Sequence, residues 1–351
     1  MPWIALYSPR GNYSPVTVRT IAHSISRAVQ EQLLCSQASH LEAHVLAVFE
    51  HACDLVTHAG DVVALVTAHA GNGPLNIVVD DSVVDSPAGL FAGLEPGEPA
   101  TLAVECLWVG GLRVDLGQAA LWEPRPDWDT LRARRDVILS SLPFLRDLCL
   151  RTAPAGSLLD LCLENTPAPP VYGSPAPPVH GGALRAIFSA AQRAAEALRE
   201  GWGGRVERLH EGALGLAGLG SGLTPAGDDF LTGTMLWACL AHPAPAPFCR
   251  ALVEAAIPRT TVLSAAFLRA AARGECSASW HGLLEALGEG VGDRVPAPPV
   301  HGGARIASQH RLLTVVPTSQ HRLFTAVQEL MAHGATSGAD TLAGFLYASE
   351  F

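Results

Sequence analysis

The chain has 351 residues, of which 48% are hydrophobic and 16% are charged, and its formal net charge at pH 7 is −10. So apolar a composition excludes a disordered chain, and the length predicts about two domains. All 23 basic residues are arginine. This excludes a lysine Schiff base to pyridoxal phosphate and the lysine of a P-loop. The acidic balance, without a basic stripe, argues against a nucleic-acid partner.

Neither a signal peptide nor a membrane span is predicted. The N-terminus lacks a basic region followed by a long apolar run, and the most apolar stretch, residues 230–241, is too short to cross a bilayer. The 8 cysteines are scattered and include no C-x-x-C pair. Because neither a zinc knuckle nor a disulfide framework fits this spacing, we predict a cytoplasmic protein with reduced cysteines.

The N-terminal part of the chain is predicted to change from helix to strand. Over residues 15–50, apolar residues such as Ile21, Ile25 and Val29 recur at near-helical spacing, which favours helix. Beyond this region, short β-branched runs alternate with Gly/Pro/Asn turns, as is typical of a small antiparallel barrel or sandwich. The predicted strands are 53–57, 61–66, 75–79, 101–107 and 111–116.

From residue 129 onward the chain is predicted to be mainly helical. The predicted helices are 129–150, 183–200, 225–241, 247–257, 260–273, 279–289 and 319–333. The expected fold class is α+β, with a β-rich N-terminal barrel or sandwich-like half packed on an Ala-rich helical C-terminal half. We expect an N-terminal helical segment (1–50), a β-rich domain (51–128) and a mainly helical domain (129–351).

A Pro/Gly-rich segment occurs twice. P-A-P-P-V-H-G-G-A spans residues 175–183 and recurs unchanged at 296–304. Such composition is typical of an extended linker, so we interpret His180 and His301 as solvated loop histidines. The alternative is that they are paired metal ligands.

The densest functional signal is a glycine-rich segment that leads into a predicted helix. Residues 215–233 are G-L-A-G-L-G-S-G-L-T-P-A-G-D-D-F-L-T-G. Glycine permits a left-handed backbone and close ligand approach, and Thr224-Pro225 is typical of an N-cap followed by the first helical residue. Free amides and the positive dipole end at a helix start favour an anion. We therefore predict that Gly220, Ser221, Gly222 and Thr224 bind an anion.

A second segment repeats part of this pattern. Residues 338–344 match residues 227–233 as G-x-D-x-L-x-G, and hydroxyl residues precede both, with Thr336 and Ser337 before the second. We expect the two helix starts to converge on one pocket, with Gly227 and Gly338 among its binding residues. The alternative is a pair of capped helix starts whose small residues serve close helix packing.

The acidic residues of the two motifs are the candidate catalytic or metal-binding groups. Asp228 and Asp229 are consecutive, so on a helix they point about 100° apart and cannot both face one ligand. One of them can face a substrate or Mg²⁺ while the other caps or forms a salt bridge. We predict Asp229 and Asp340 as catalytic residues, and Asp228 and Asp229 as possible ligands of Mg²⁺.

Three further positions complete the predicted site. Thr260 is expected to cap the following helix, with Ser264 on the same helical face. Arg259 is a candidate catalytic clamp for a phosphate or carboxylate, although an ordinary cap beside a surface arginine explains the segment equally well. In the β half, Asn72 begins an Asn-Gly-Pro turn that we expect to approach the site.

These motifs also resemble a known family. Residues 218–233 closely resemble the signature of a bacterial family of unknown function that is associated with the third subunit of oxamate carbamoyltransferase in allantoin catabolism. The blocks around Thr260 and Ser264, around residues 334–340 and around Asn72 are similar to further parts of that family. The resemblance covers roughly residues 50–346, while residues 1–45 and 291–312 have no evident counterpart.

The resemblance implies phosphorolysis of oxalurate to oxamate and carbamoyl phosphate, by a complex with two partner subunits, one of them similar to a succinyl-CoA ligase. Three hypotheses stay open. The chain is a catalytic subunit that binds phosphate or carbamoyl phosphate at the glycine-rich loop, with Arg259 neutralising developing charge. Alternatively, it is a non-catalytic accessory subunit. As a third possibility, it is a stand-alone Mg²⁺-dependent hydrolase that uses Asp228, Asp229 and Asp340.

Overall fold

The computed structural model describes residues 18–35, 40–83, 89–162, 182–290 and 319–351. The chain divides into two compact units, Met1–Pro124 and Arg125–Phe351. The first unit is a β-barrel and the second is helical, so the predicted α+β class is confirmed. The second copy of the Pro/Gly-rich segment lies outside the described residues, as does the first copy up to residue 181.

The first unit consists of nine strands and one short helix among its described residues. They are β1 (Val18–Ser26), α1 (Arg27–Cys35), β2 (Leu41–Val48), β3 (Ala52–Thr57), β4 (Val62–Thr67), β5 (Asn76–Val79), β6 (Pro99–Leu102), β7 (Cys106–Val109), β8 (Leu112–Asp115) and β9 (Ala120–Trp122).

Strand β1 closes the barrel because it pairs on both sides. Residues 18–21 pair in parallel with β8, while residues 22–25 pair antiparallel with β5 across a register shift. The remaining strands follow in the order β5-β4-β3-β2-β6-β7-β8-β1, and β9 pairs with the end of β1. Alternate side chains fill the interior, including Val63, Leu65, Ile77, Leu102, Leu107 and Val114, all fully buried.

The predicted helix over residues 15–50 is wrong within the described range. It is replaced by β1, the short helix α1 and β2. In β1 burial alternates, since Thr20 and Ala22 are buried whereas Ile21 is 50% exposed. The predicted strand 101–107 is also wrong, because it covers the end of β6, a turn and the start of β7. The first error arises because strand pairing at long range, here with β5 and β8, overrides local periodicity. The second arises because the chain turns within 101–107, so that β6 and β7 pair with each other as a short antiparallel hairpin.

The second unit consists of ten α-helices and two short 3₁₀ turns among its described residues. The helices are α2 (Trp128–Ala133), α3 (Arg135–Thr152), α4 (Gly182–Trp202), α5 (Val206–Leu216), α6 (Ala226–Ala241), α7 (Pro245–Ala256), α8 (Val262–Ala272), α9 (Ala278–Glu289), α10 (Ser319–Met331) and α11 (Ser337–Ala348), and the turns are Leu158–Cys162 and Ile257–Arg259. Each predicted helix is present, although 129–150 is divided into α2 and α3, and α5 was not predicted. No helix within the described ranges is long and apolar enough to cross a membrane.

Helices α6 and α11 cross at very close range. A Cβ atom on Gly233 would overlap the carbonyl oxygen of Thr341, and one on Gly344 would overlap the carbonyl oxygen of Phe230. These two glycines are the last residues of the two G-x-D-x-L-x-G motifs. The packing interpretation of the repeat is therefore correct for this pair of glycines, and the crossing holds the starts of the two helices in one core.

We predict that Gly233→Ala lowers the free energy of unfolding by about 3 kcal/mol or more, because the added methyl group meets rigid backbone. Gly282 in α9 is a matched control, since nothing lies within 4 Å of a Cβ built there. Gly282→Ala should instead stabilise the protein by about 0.5–1 kcal/mol. Chemical denaturation of both variants measures the difference, and equal stabilities would contradict the close crossing.

Candidate functional site

The loop between α5 and α6 depends on glycine at three positions. Gly218, Gly220 and Gly222 have φ of +71°, +119° and +97°. A Cβ on Gly218 would lie 2.5 Å from the carbonyl oxygen of Arg259, and one on Gly220 would lie 2.8 Å from the amide nitrogen of Ala226. At Gly222 nothing lies within 4 Å. The first two glycines thus allow tight internal packing, whereas Gly222 faces open space.

The start of α6 is one residue later than predicted. Pro225 occupies the N-cap position and Ala226 is the first helical residue. The amide of Gly227 donates to the Leu219 carbonyl at 2.8 Å, and that of Asp228 donates to the Pro225 carbonyl at 2.9 Å. The expectation of free amides in this first turn is therefore wrong for Gly227, which the loop binds through Leu219, and for Asp228, which the N-cap carbonyl of Pro225 binds.

The unbonded amides lie instead in the loop itself. Among the described residues, no acceptor binds the amides of Gly220, Ser221 and Gly222. All three residues are exposed. Two of them have positive φ, and successive amides in such alternating backbone can form a concave anion-binding surface. The predicted anion-binding segment is thus an open chain of donors rather than a bare helix end.

Asp228 holds the loop to α6 and α8. Its side chain is buried, and it accepts hydrogen bonds from the Gly218 amide at 3.0 Å and from the hydroxyls of Thr260 and Ser264. Burial raises its pKa, and the bonds from Thr260, Gly218 and Ser264 oppose that rise. Because both carboxylate oxygens accept hydrogen bonds in this way, Asp228 stabilises the conformation of the loop.

The start of α8 also contacts the loop, through a threonine that the sequence pattern did not single out. Thr261, rather than Thr260, is the N-cap, and its hydroxyl oxygen accepts from the Ser264 amide at 3.0 Å. The same hydroxyl donates to the Leu223 carbonyl at 2.5 Å. The Ser264 hydroxyl shares its one proton between that carbonyl, at 3.4 Å, and Asp228. The capping rule fits either threonine of the Thr-Thr pair, so the sequence alone left the choice open.

The starts of α6 and α11 meet through their hydroxyl residues. The Thr224 and Ser337 hydroxyl oxygens lie 3.0 Å apart within one hydrogen bond. Thr336 is the N-cap of α11, and Gly338 lies so close to α10 that a Cβ would overlap the Leu330 carbonyl. The first turns of α6, α8 and α11 therefore converge on the loop at residues 218–224, as the sequence predicted for two of them.

The two aspartates at equivalent positions of the repeat differ in exposure, since Asp340 is fully buried whereas Asp229 is partly buried. Asp340 accepts a hydrogen bond from the Leu158 amide at 2.6 Å through Oδ1, whereas its Oδ2 is buried and has no partner among the described residues. Desolvation raises the pKa of Asp340 to about 6, against the lowering effect of hydrogen bonds from Leu158 and Thr336. Nothing in the sequence indicated Leu158, because it reaches Asp340 from a distant 3₁₀ turn.

The pKa of Asp229 is also raised. Burial raises its pKa well above the ordinary value, the negative charges of Asp340 and Asp228 raise it further, and a hydrogen bond with Ser337 opposes them. Its Oδ2 is also buried without a partner in the described part of the chain. A carboxyl group in this state retains its proton at higher pH and can donate a hydrogen bond or act as an acid.

Arg259 lies at the rim of the loop. Arg259 is exposed, and it lines an open depression of about 490 Å³ together with Gly218 and Leu219. Its guanidinium group forms no ion pair with any described residue. Arg259 is therefore available to an anionic ligand that reaches this side of the loop.

Two parts of the predicted site stay predictions, namely the contribution of Asn72 and the binding of a metal ion. Asn72 belongs to the barrel unit, where its Oδ1 accepts a hydrogen bond from the Ser24 hydroxyl at 2.6 Å. Within the described ranges, no group of three or more His, Cys, Asp or Glu side chains is arranged to hold a metal ion. Asp228 and Asp229 thus have no third acidic, His or Cys ligand among those residues.

Two family profiles match the chain. The profile described as oxamate carbamoyltransferase subunit AllH matches residues 216–302, and the profile described as AllH family N-terminal domain matches residues 16–121. The chain belongs to the AllH family. The first AllH match contains the glycine loop, Asp228, Asp229 and the start of α8, and the second contains the barrel.

The AllH matches correct the extent of the resemblance inferred from the motifs. The N-terminal match begins at residue 16, so much of the region 1–45 does have a counterpart in the family. The second motif, residues 338–344, lies outside both matched ranges. No curated protein and no solved structure significantly matches the chain.

The buried carboxyl of Asp340 predicts a pH-dependent stability. Because its folded pKa of about 6 exceeds the ordinary value of 3.8, its stabilising contribution is present below about pH 4 and is lost as pH rises through 6. Asp340→Asn keeps an acceptor for the Leu158 amide but cannot ionise. Between pH 4 and 7 the free energy of unfolding of the wild type should therefore fall relative to this variant, by up to about 3 kcal/mol.

Denaturant titrations at several pH values measure this difference. The exposed Asp136→Asn is the control, since it removes a carboxylate of the same helical unit. Parallel pH profiles for the wild type and Asp340→Asn would show that the Asp340 carboxyl is not held in its protonated form.

Proposed function

We propose that this AllH-family chain binds phosphate or carbamoyl phosphate at its glycine loop, as part of a cytoplasmic oxamate carbamoyltransferase complex that acts on oxalurate. The family is that of an oxamate carbamoyltransferase subunit. The observation that carries the proposal is the set of unbonded, exposed amides of Gly220, Ser221 and Gly222 beside converging helix starts. A phosphoryl group is the kind of small anion that such donors accept.

Charge around the loop supports this assignment. The first turns of α6, α8 and α11 direct the positive ends of their dipoles toward one region. Arg259 adds a guanidinium group that forms no ion pair with a described residue, and all 23 residues of the Lys and Arg types in this chain are arginines. The Asp229 carboxyl retains its proton to higher pH than an ordinary one, which reduces its repulsion of a bound anion.

The proposed chemistry is transfer of the carbamoyl group of oxalurate to phosphate. A phosphate oxygen forms a bond to the carbamoyl carbon, and the bond from that carbon to the oxamate nitrogen breaks. The departing nitrogen must take up a proton, which protonated Asp229 is suited to supply. Arg259 would offset negative charge that develops at the carbamoyl oxygen, and Asp340 would maintain the raised pKa of Asp229.

Within this proposal the chain acts with other subunits, one of them similar to a succinyl-CoA ligase. The accessory-subunit hypothesis differs only in placing the chemistry on another chain. A stand-alone Mg²⁺-dependent hydrolase has less support, because the carboxylate of Asp228 is already occupied by Gly218, Thr260 and Ser264.

We expect Gly222→Val to weaken phosphate and carbamoyl phosphate binding at least about tenfold, since valine disfavours positive φ and displaces the loop amides. Gly204 is a matched control in the same unit, with φ of +102° and no atom within 4 Å of a built Cβ. Gly204→Val should be strained to a similar extent and still bind normally. Calorimetry on both variants is the test, and equal affinities would contradict an anion site at the loop.

Asp229→Asn separates binding from catalysis. It preserves the shape of the side chain but removes the transferable proton, so we expect unchanged phosphate affinity and a fall in turnover of at least about 100-fold. The measurement is oxalurate phosphorolysis by the reconstituted complex, together with its pH profile. In the wild type the rate should fall as pH rises through the elevated pKa of Asp229. Full activity in the variant would favour the accessory-subunit hypothesis.

A further inference from the structure

The glycine loop is held at both ends by side chains. At its far end, the Thr261 hydroxyl donates to the Leu223 carbonyl at 2.5 Å, while its oxygen accepts from the Ser264 amide at 3.0 Å. Because a hydroxyl group has one proton, this arrangement directs that proton to Leu223. At the near end, Asp228 accepts from the Gly218 amide at 3.0 Å. The exposed amides of the loop thus lie between two fixed points.

The run of unbonded amides continues beyond Gly222. The amides of Leu223 and Thr224 also have no acceptor among the described residues, and Pro225 ends the run because proline has no N–H group. The hydroxyl of Thr224 is already in a hydrogen bond with Ser337, at 3.0 Å. The donor that Thr224 offers to a ligand is therefore its main-chain amide.

The bond from Thr261 to Leu223 fixes the direction of this amide. The Leu223 carbonyl and the Thr224 N–H belong to one peptide group, and in a planar trans peptide these two bonds point in opposite directions. The described residues include no cis peptide bond. The Thr224 N–H therefore points away from the Thr261 hydroxyl. A donor whose direction is fixed before the ligand arrives loses less conformational entropy on binding.

We propose that Thr261 is a positioning residue for anion binding, which orients the Thr224 amide through the Leu223 carbonyl and so adds that amide to the donors of the loop. This inference rests on the proposed function, because it takes the glycine loop to be the phosphate site. Thr261 itself does not touch the anion. Without its hydroxyl, the Leu223 carbonyl would keep only the longer bond from Ser264, at 3.4 Å, whose proton is shared with Asp228.

The test is titration of the full chain with inorganic phosphate, followed by calorimetry and by NMR of the backbone amides. In the wild type, the Thr224 amide proton should shift downfield on binding, together with those of residues 220–222. Thr261→Val keeps the size of the side chain but removes the hydroxyl, so phosphate should bind at least about fivefold more weakly and the Thr224 shift should shrink. Thr261→Ser retains the hydroxyl and should restore both the affinity and the shift.

Asp127→Ala is the matched control. Asp127 caps α2 in the same unit by accepting from the Thr130 amide at 3.0 Å, so this variant loses a helix cap of the same kind away from the loop. It should bind phosphate like the wild type. Equal losses of affinity in Asp127→Ala and Thr261→Val would assign the effect to lost stability rather than to the direction of the Thr224 amide, and would overturn the inference.

The outcomes also separate this inference from the proposed function. If Thr261→Val binds phosphate like the wild type while Gly222→Val does not, Thr261 has no positioning role and the glycine loop remains the anion site. A Thr224 amide that stays unmoved while the other loop amides shift likewise overturns the inference alone. If no loop amide of the wild type shifts and calorimetry detects no binding, the proposed function fails and the inference fails with it.

Discussion

The close crossing of α6 and α11 is the constraint on which the helical unit depends. Two helices can approach so closely only where neither carries a Cβ atom, and Gly233 and Gly344 meet that requirement against the opposite backbone. The crossing brings two buried first turns together, so that Thr224 contacts Ser337 and the charge of Asp340 reaches Asp229. A packing requirement two turns into each helix thus determines the polar chemistry at its start.

Adjacent acidic residues in this site have separate tasks because helical geometry points them in different directions. Asp228 turns toward Gly218 and Thr260 and fixes the shape of the loop, whereas Asp229 turns toward Ser337 and the start of α11. Loss of Asp228 would release a loop with three left-handed residues from its only carboxylate anchor among the described residues. Loss of the Asp229 carboxyl would leave that loop in place.

Much of the helical unit was predictable from the sequence, because apolar periodicity and Thr/Pro/Gly boundaries mark its helices locally. The convergence of the two motif starts was also predictable, since the repeat itself suggested it. The barrel was harder, because β1 becomes a strand only through pairing with β5 and β8, and Ile21 faces outward despite being apolar. The contact of Leu158 with Asp340 and the choice of Thr261 as the cap depend on tertiary packing that local patterns do not encode.

The two carboxyls of Asp229 and Asp340 have a consequence for any measured ionisation of this protein. Since the charge on Asp340 raises the pKa of Asp229, the two groups release their protons as a coupled pair. An apparent pKa taken from spectroscopy or from rates would then describe two macroscopic steps of the pair rather than one residue. Neutralising either carboxyl should move the titration of the other, so the acidity of this site is a joint property of two helices that lie far apart in the sequence.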